Sequence, residues 1–235
     1  MRQNSYSDGY VPLRVGEYAA DGHIRVPGEL SERRYNLLLG SVLVWGFFIN
    51  FLLCFFFGDA IARMNPFAIL VIYLVSAVVG ILLNTRSGNP LVSFIGYNLV
   101  VLPIGLVLSV YVSAFDELSV TLSFLITAIV TLTMMLLSIA FPQLFYSIGP
   151  ALGVTLLVVL VFDIVLTLIG GFFALGVIDW IVTFIFCGYI GYDYAIAQNR
   201  EKTADGAIDS ACALYLDIVN LFIRVLALVG RSRER

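Results

Sequence analysis

The sequence predicts an all-α membrane protein, a seven-transmembrane-helix bundle with the C-terminal helix central. Three observations carry this prediction. Of the 235 residues, 60% are hydrophobic and only 12% are charged, where a soluble domain carries about 25% charged residues. Mean hydropathy is +0.99. Too little polar surface remains to cover a soluble globule, and the apolar content excludes a disordered chain. The apolar residues also gather into seven runs, 36–57, 67–84, 90–113, 118–139, 149–170, 172–195 and 207–229. Each matches the roughly 20 residues a spanning helix needs. None shows the every-second-residue alternation of a membrane barrel strand.

Taken in order, residues 1–35 form a polar tail with five Arg (Arg2, Arg14, Arg25, Arg33, Arg34) and five acids (Asp8, Glu17, Asp21, Glu29, Glu32). It lacks an apolar core and is expected to be flexible. No signal peptide or myristoylation motif is expected in it. Its tyrosines (Tyr6, Tyr10, Tyr18, Tyr35) are read as solvated residues rather than partner contacts.

The membrane domain is expected over 36–229 and a short basic tail over 230–235. Gly58-Asp59 ends the first run and Pro66 opens the second. Ser87-Gly88-Asn89-Pro90 turns into the third, where Pro103 should kink the helix. Asp116-Glu117 separates the third and fourth. Phe141-Pro142 and Gly149-Pro150 are read as bracketing the next loop, and Gly170-Gly171 as the turn between the fifth and sixth. The last internal loop spans Gln198 to Asp205. Joints this short set consecutive helices antiparallel and side by side.

The positive-inside count favours a cytoplasmic N-terminus, collecting Arg33, Arg34, Arg86, Arg200 and Lys202 on that side. Arg63 falls outside. Seven full crossings put Arg231, Arg233 and Arg235 outside as well, so the side of the C-terminus stays open. Absence of a signal or a glycosylation sequon fits a bacterial plasma membrane better than an internal eukaryotic one.

Net charge is −3, with 13 basic and 16 acidic residues, so no footprint for nucleic acid exists. One histidine, His23 in the tail, excludes serine–histidine catalysis. With only three cysteines, Cys54, Cys187 and Cys212, all within apolar runs, zinc and iron–sulfur centres are not expected, nor is a disulfide. No resident cofactor is predicted.

The informative residues are ionisable groups inside the runs. A charge at the bilayer centre costs at least ~2.5–3.5 kcal/mol even on the insertion scale, so such groups face the bundle interior and find partners. Asp163, Asp179, Asp193, Asp217 and Arg224 qualify. Asp163 reads equally as packing glue, and Asp179 as a helix start in the interface. On the seventh run Ser210, Asp217 and Arg224 are spaced by seven, and Asn220 follows Asp217 by three. At ~3.6 residues per turn they form one polar stripe. A striped helix cannot show that face to lipid, so the other six helices are expected to sheath it. Asp217 and Arg224 could pair through a third group. Asp193 and Asp217 differ by some 15 Å in helical depth, so spacing alone does not bring them together.

Residues 191–224 read GYDYAIAQNREKTADGAIDSACALYLDIVNLFIR. This segment resembles the Bax inhibitor-1 family, the transmembrane Bax-inhibitor-motif proteins. The likeness lies in Tyr192-Asp193, then Leu214-Tyr215-Leu216-Asp217, then Asn220-Leu221-Phe222. The resemblance implies a seven-helix bundle with a central last helix. It also implies a calcium leak controlled by proton binding at a pair of aspartates, which carry over to Asp193 and Asp217. A family arginine that latches the pair maps to Arg86. Two departures stand out: the basic residues that flank that arginine in the family are missing, and Arg224 sits where the family more usually has a neutral residue.

Two carboxylates close together in a low-dielectric interior cannot both ionise cheaply, and their protons leave in coupled steps. Calcium takes about 6–8 oxygens. The aspartates with Asn220, Tyr215 and water would form a weak transit site, as permeation requires. The expectation is therefore a pH-sensitive calcium leak channel in a lipid bilayer, with calcium and protons as its ligands, Asp193 and Asp217 as sensor, and Ser210, Tyr215, Asn220 and Arg224 in support. No motif names a protein partner. Alternatives are a proton- or cation-coupled transporter, a non-conducting membrane interaction protein regulating cell death or stress, and an intramembrane aspartyl protease. The protease lacks its glycine-x-glycine before Asp217, and no repeat supports the transporter.

Overall fold

The computed structural model describes residues 29–168 and 175–233, which form seven α-helices with no strand among the described residues. They are α1 (Glu32–Ala62), α2 (Pro66–Arg86), α3 (Pro90–Val112), α4 (Glu117–Ala140), α5 (Pro142–Leu168), α6 (Leu175–Asn199) and α7 (Ala204–Arg233). All seven are long and apolar enough to cross a membrane. Their outward faces carry exposed large apolar side chains, among them Val44, Phe55, Leu136, Val154 and Leu157. A soluble protein does not expose so continuous an apolar surface. The protein is a multi-pass integral membrane protein built as a seven-helix bundle.

The starts of the helices are written locally. Ser31, Asn65, Asn89 and Asp116 are N-caps whose side chains accept from Arg34, Phe67, Leu91 and Ser119 backbone N–H groups. Each satisfies a donor that has no partner within its helix. Pro66 and Pro90 take the first helical position, where the missing N–H costs nothing.

Several boundaries differ from expectation. The stretch read as a loop between Phe141 and Pro150 is helical. Pro142 opens α5 directly after Phe141, and Pro150 lies inside that helix. The proline at 142 acts as a first-turn residue and not as a breaker. As expected, Pro103 lies inside α3, which continues through it. The expected tail boundary at 35 is too late: α1 begins at Glu32, and Tyr35 is fully buried. Residues 230–233, assigned to a basic tail, are the last turn of α7. The Gly170-Gly171 turn and residues 1–28 of the tail lie outside the described residues.

α7 is central. It packs against α1, α2, α3, α4 and α6. The expected sheath of six is one of five, because α5 sits outside and packs on α6 and α4. The core around α7 is apolar and aromatic. Tyr97 and Tyr215, both fully buried, meet edge to face with centroids 5.7 Å apart, a favoured aromatic geometry. Tyr97 Oη donates to Val42 O at 2.9 Å. α4 turns small polar residues inward at Ser119, Ser123, Thr127 and Thr131, the spacing that lets membrane helices approach closely.

The closest approach is between α2 and α3. A Cβ placed on Gly96 would stand 2.6 Å from Gly80 O and 2.8 Å from Asn84 N. Only glycine fits there. Beside that contact Asn84 Nδ2 donates to Ser93 O (3.3 Å), and Ser93 Oγ donates to Asp205 Oδ1 at the start of α7 (2.6 Å).

The loop between α6 and α7 is tied down at both sides. Lys202 Nζ donates to Ala197 O (3.1 Å) and Gln198 O (2.6 Å), the free carbonyls at the end of α6. Its ammonium also lies 4.6 Å from the centre of the Tyr35 ring. Burial lowers the Lys202 pKa, and the Glu32 carboxylate works against that shift. Leu30 N donates to Lys202 O at 2.6 Å. The segment before α1 is therefore strapped across this end of the bundle.

Candidate functional site

The stripe on α7 is real, but its members face different neighbours. Ser210 Oγ shares a hydrogen bond with Tyr35 Oη at 3.0 Å. It joins α7 to α1. Tyr215 Oη, expected as a calcium ligand, instead accepts from Asn50 Nδ2 at 2.6 Å on the α1 side. Two positions separate it from Asp217 on the helix, about 200° of rotation, so the two side chains leave α7 on opposite faces.

Asp193 and Asp217 do come together. Their carboxyl groups lie close enough between α6 and α7 for each to act on the other's charge. The helical depths match because residues 200–203 separate Asn199 from Ala204. Asp217 is 7% exposed and Asp193 is half-buried. Asp217 Oδ2 is buried and accepts from no donor among the described residues.

Asp217 opens onto a crevice of 360 Å³ between α5, α6 and α7. Leu156, Val159 and Leu160 of α5 wall one side; on α7, Asp217, Asn220 and Arg224 line it in succession. The crevice exists because α5 is held away from α7. Asn220 Nδ2 donates to Leu216 O of its own helix at 2.7 Å.

Arg224 does not reach toward Asp217. Its Nη1 donates to Asp179 Oδ1 on α6 at 2.7 Å, and Arg231 ion-pairs with Asp179 Oδ2. Asp179 is 3% exposed. It lies near the start of α6, as expected, and there it is the buried hub of a two-arginine cluster. Sequence reasoning missed this hub, although Arg224 and Arg231 are themselves seven apart on α7 and call for a counter-charge. Arg86, the expected latch partner, is exposed at the end of α2 and makes no ion pair among the described residues. The backbone of Asp163 lies in α5, and its side chain is outside the described residues.

Acidic residues continue toward the loop end of α7. Asp209, which sequence reasoning passed over, binds Arg200 at 3.0 Å and has its second oxygen buried without a donor among the described residues. No group of three or more His, Cys, Asp or Glu able to hold a metal occurs among the described residues.

A family model described as "Inhibitor of apoptosis-promoting Bax1" matches residues 30–234. Among individual proteins, the chain is 35% identical over 91 residues to Protein LIFEGUARD 1 of Arabidopsis thaliana, covering 37% of each chain. It is 40% identical over 89 residues to Protein LIFEGUARD 4 of the same plant, covering 36% of this chain and 34% of that one. An uncharacterized membrane protein of Streptococcus pyogenes serotype M3 is 28% identical over 134 residues, 54% of this chain and 58% of its own. These matches span less than two thirds of each relative's length.

Proposed function

The chain belongs to the family of inhibitors of apoptosis-promoting Bax1, and on that premise we propose that it is a calcium leak channel whose path is controlled by a proton shared between Asp193 and Asp217. The single observation that carries the reading is the closeness of these two carboxyls between α6 and the central helix, with Asp217 opening onto a crevice lined by further polar residues of α7. With a shared proton the pair ties α6 to α7. With none, two negative charges face each other where water is scarce, and the helices part or a cation takes the proton's place. Asp193, Asp217 and the carbonyl of Asn220 offer calcium only part of the 6–8 oxygens it takes. Water must complete its shell, so residence is short, as passage demands.

Calcium flux into liposomes containing the purified protein tests this reading. Flux should depend on pH in the wild type, and that dependence should vanish in Asp193→Asn and in Asp217→Asn. A wild type that passes no calcium at any pH refutes it. That result would favour the second reading, a non-conducting membrane protein acting through a partner, which the family's description in terms of Bax1 supports.

A further inference from the structure

The crevice has a second charged end. Its lining runs along α7 from Asp217 through Asn220 to Arg224, seven residues and so about 10 Å of helix. The Arg224 side chain is 30% exposed, and Asp179 on α6 holds it from across the interface at 2.7 Å. Arg231 occupies the other oxygen of the same carboxylate, and its Nη1 lies over Gly176, 3.7 Å from where a Cβ would stand. Tyr111 at the end of α3 is close enough to feel all three charges. Three elements, α3, α6 and α7, thus meet at this end.

We propose that Arg224 is a charge-selecting residue of the path: a fixed cation, aimed by Asp179, that bars other cations from reaching Asp217 through this end of the crevice. A guanidinium is a permanent cation in proteins. A divalent ion approaching it meets repulsion that water screens poorly in a narrow apolar cleft. Passage then requires Arg224 to swing off Asp179. Arg231 has a different part: it completes the charge on Asp179 without lining the crevice. Asp179 is a positioning residue, since it acts on the path only through Arg224. The inference rests on reading the crevice as the ion path.

The test uses the full chain in liposomes, with Cys54, Cys187 and Cys212 replaced by alanine and Asn220→Cys introduced. A membrane-impermeant cationic thiol reagent is applied from the Arg231 side. Labelling should be slow, and adding Arg224→Gln should speed it about tenfold by removing the repelling charge. Arg224→Lys, which keeps the charge, should leave it slow and so guards against an effect of misfolding. Arg231→Gln should change it less than about twofold. Equal rates with and without Arg224, or an equal effect of Arg231→Gln, overturn the proposal. Calcium flux, measured in parallel on chains that keep Asn220 with and without Arg224→Gln, separates the two readings. Labelling as expected with no flux in any variant keeps the barrier and refutes the calcium channel. Unchanged labelling with pH-gated flux refutes the barrier and keeps the channel.

Discussion

The contact between α2 and α3 gives a sharp test of how this bundle is held, because two known effects oppose each other there. Replacing glycine by alanine inside a helix favours the folded state by about 1 kcal/mol through propensity alone. At Gly40 in α1 nothing lies within 4 Å of the added Cβ, so Gly40→Ala should show that gain. At Gly96 the Cβ would fall 2.6 Å from Gly80 O and 2.8 Å from Asn84 N. An ordinary carbon–oxygen contact is ~3.3 Å or more, so the two helices must separate by some tenths of an ångström at their tightest point. Both opposing atoms are backbone and cannot rotate away. Overpacking of this kind costs about 1–3 kcal/mol. The net expectation for Gly96→Ala is a loss of about 0–2 kcal/mol after the propensity gain, and the two variants should differ by about 1–3 kcal/mol. Thermal unfolding of both variants in the same detergent measures the difference. Equal midpoints, or a higher midpoint for Gly96→Ala, would show that α2 and α3 are not in backbone contact and that the reasoning fails.

Further outcomes follow from the other polar contacts. Tyr215→Phe removes the acceptor of Asn50 Nδ2, and Asn50 Oδ1 already lacks a donor among the described residues. A buried amide left unpaired costs about 1–3 kcal/mol, so the unfolding midpoint should fall, while the pH dependence of flux stays as in the wild type. Lys202→Met keeps the aliphatic stem but loses the two carbonyl bonds and the stacking on Tyr35. A cost of about 1 kcal/mol is expected, and amide exchange should accelerate at 196–203 but not at 214–226.

The fold was legible in the sequence because the bilayer imposes a single length and one polarity on its spans. Seven apolar runs became seven helices. Misread boundaries were those where a residue has two uses: Pro142 looked like a breaker and is a first-turn residue, and Tyr35 looked like tail and is core. The burial of the polar stripe on α7 was legible as well. The stripe on α7 correctly pointed inward, since a polar face cannot meet lipid. What a stripe cannot tell is which neighbour each of its members meets, because that depends on the rotation and depth of helices far away in the chain. Ser210 therefore met α1, Asp217 met α6 near its end, and Arg224 met Asp179 near its start. Tyr215 lies off the stripe by helical arithmetic alone, and its inclusion as a ligand was the avoidable error. The position of α5 outside the sheath, which leaves the crevice open, carries no sequence signal at all.

Infrared difference spectroscopy of the protein in lipid, titrated with acid and then with calcium, reaches the shared proton itself. A carbonyl stretch from a protonated carboxyl group should be present, should disappear as the pair loses its proton or as calcium is added, and should be missing in both Asp193→Asn and Asp217→Asn. A spectrum in which neither substitution removes such a band, or in which calcium leaves it untouched, would mean that the two aspartates hold no exchangeable proton in common and that calcium does not compete for their site.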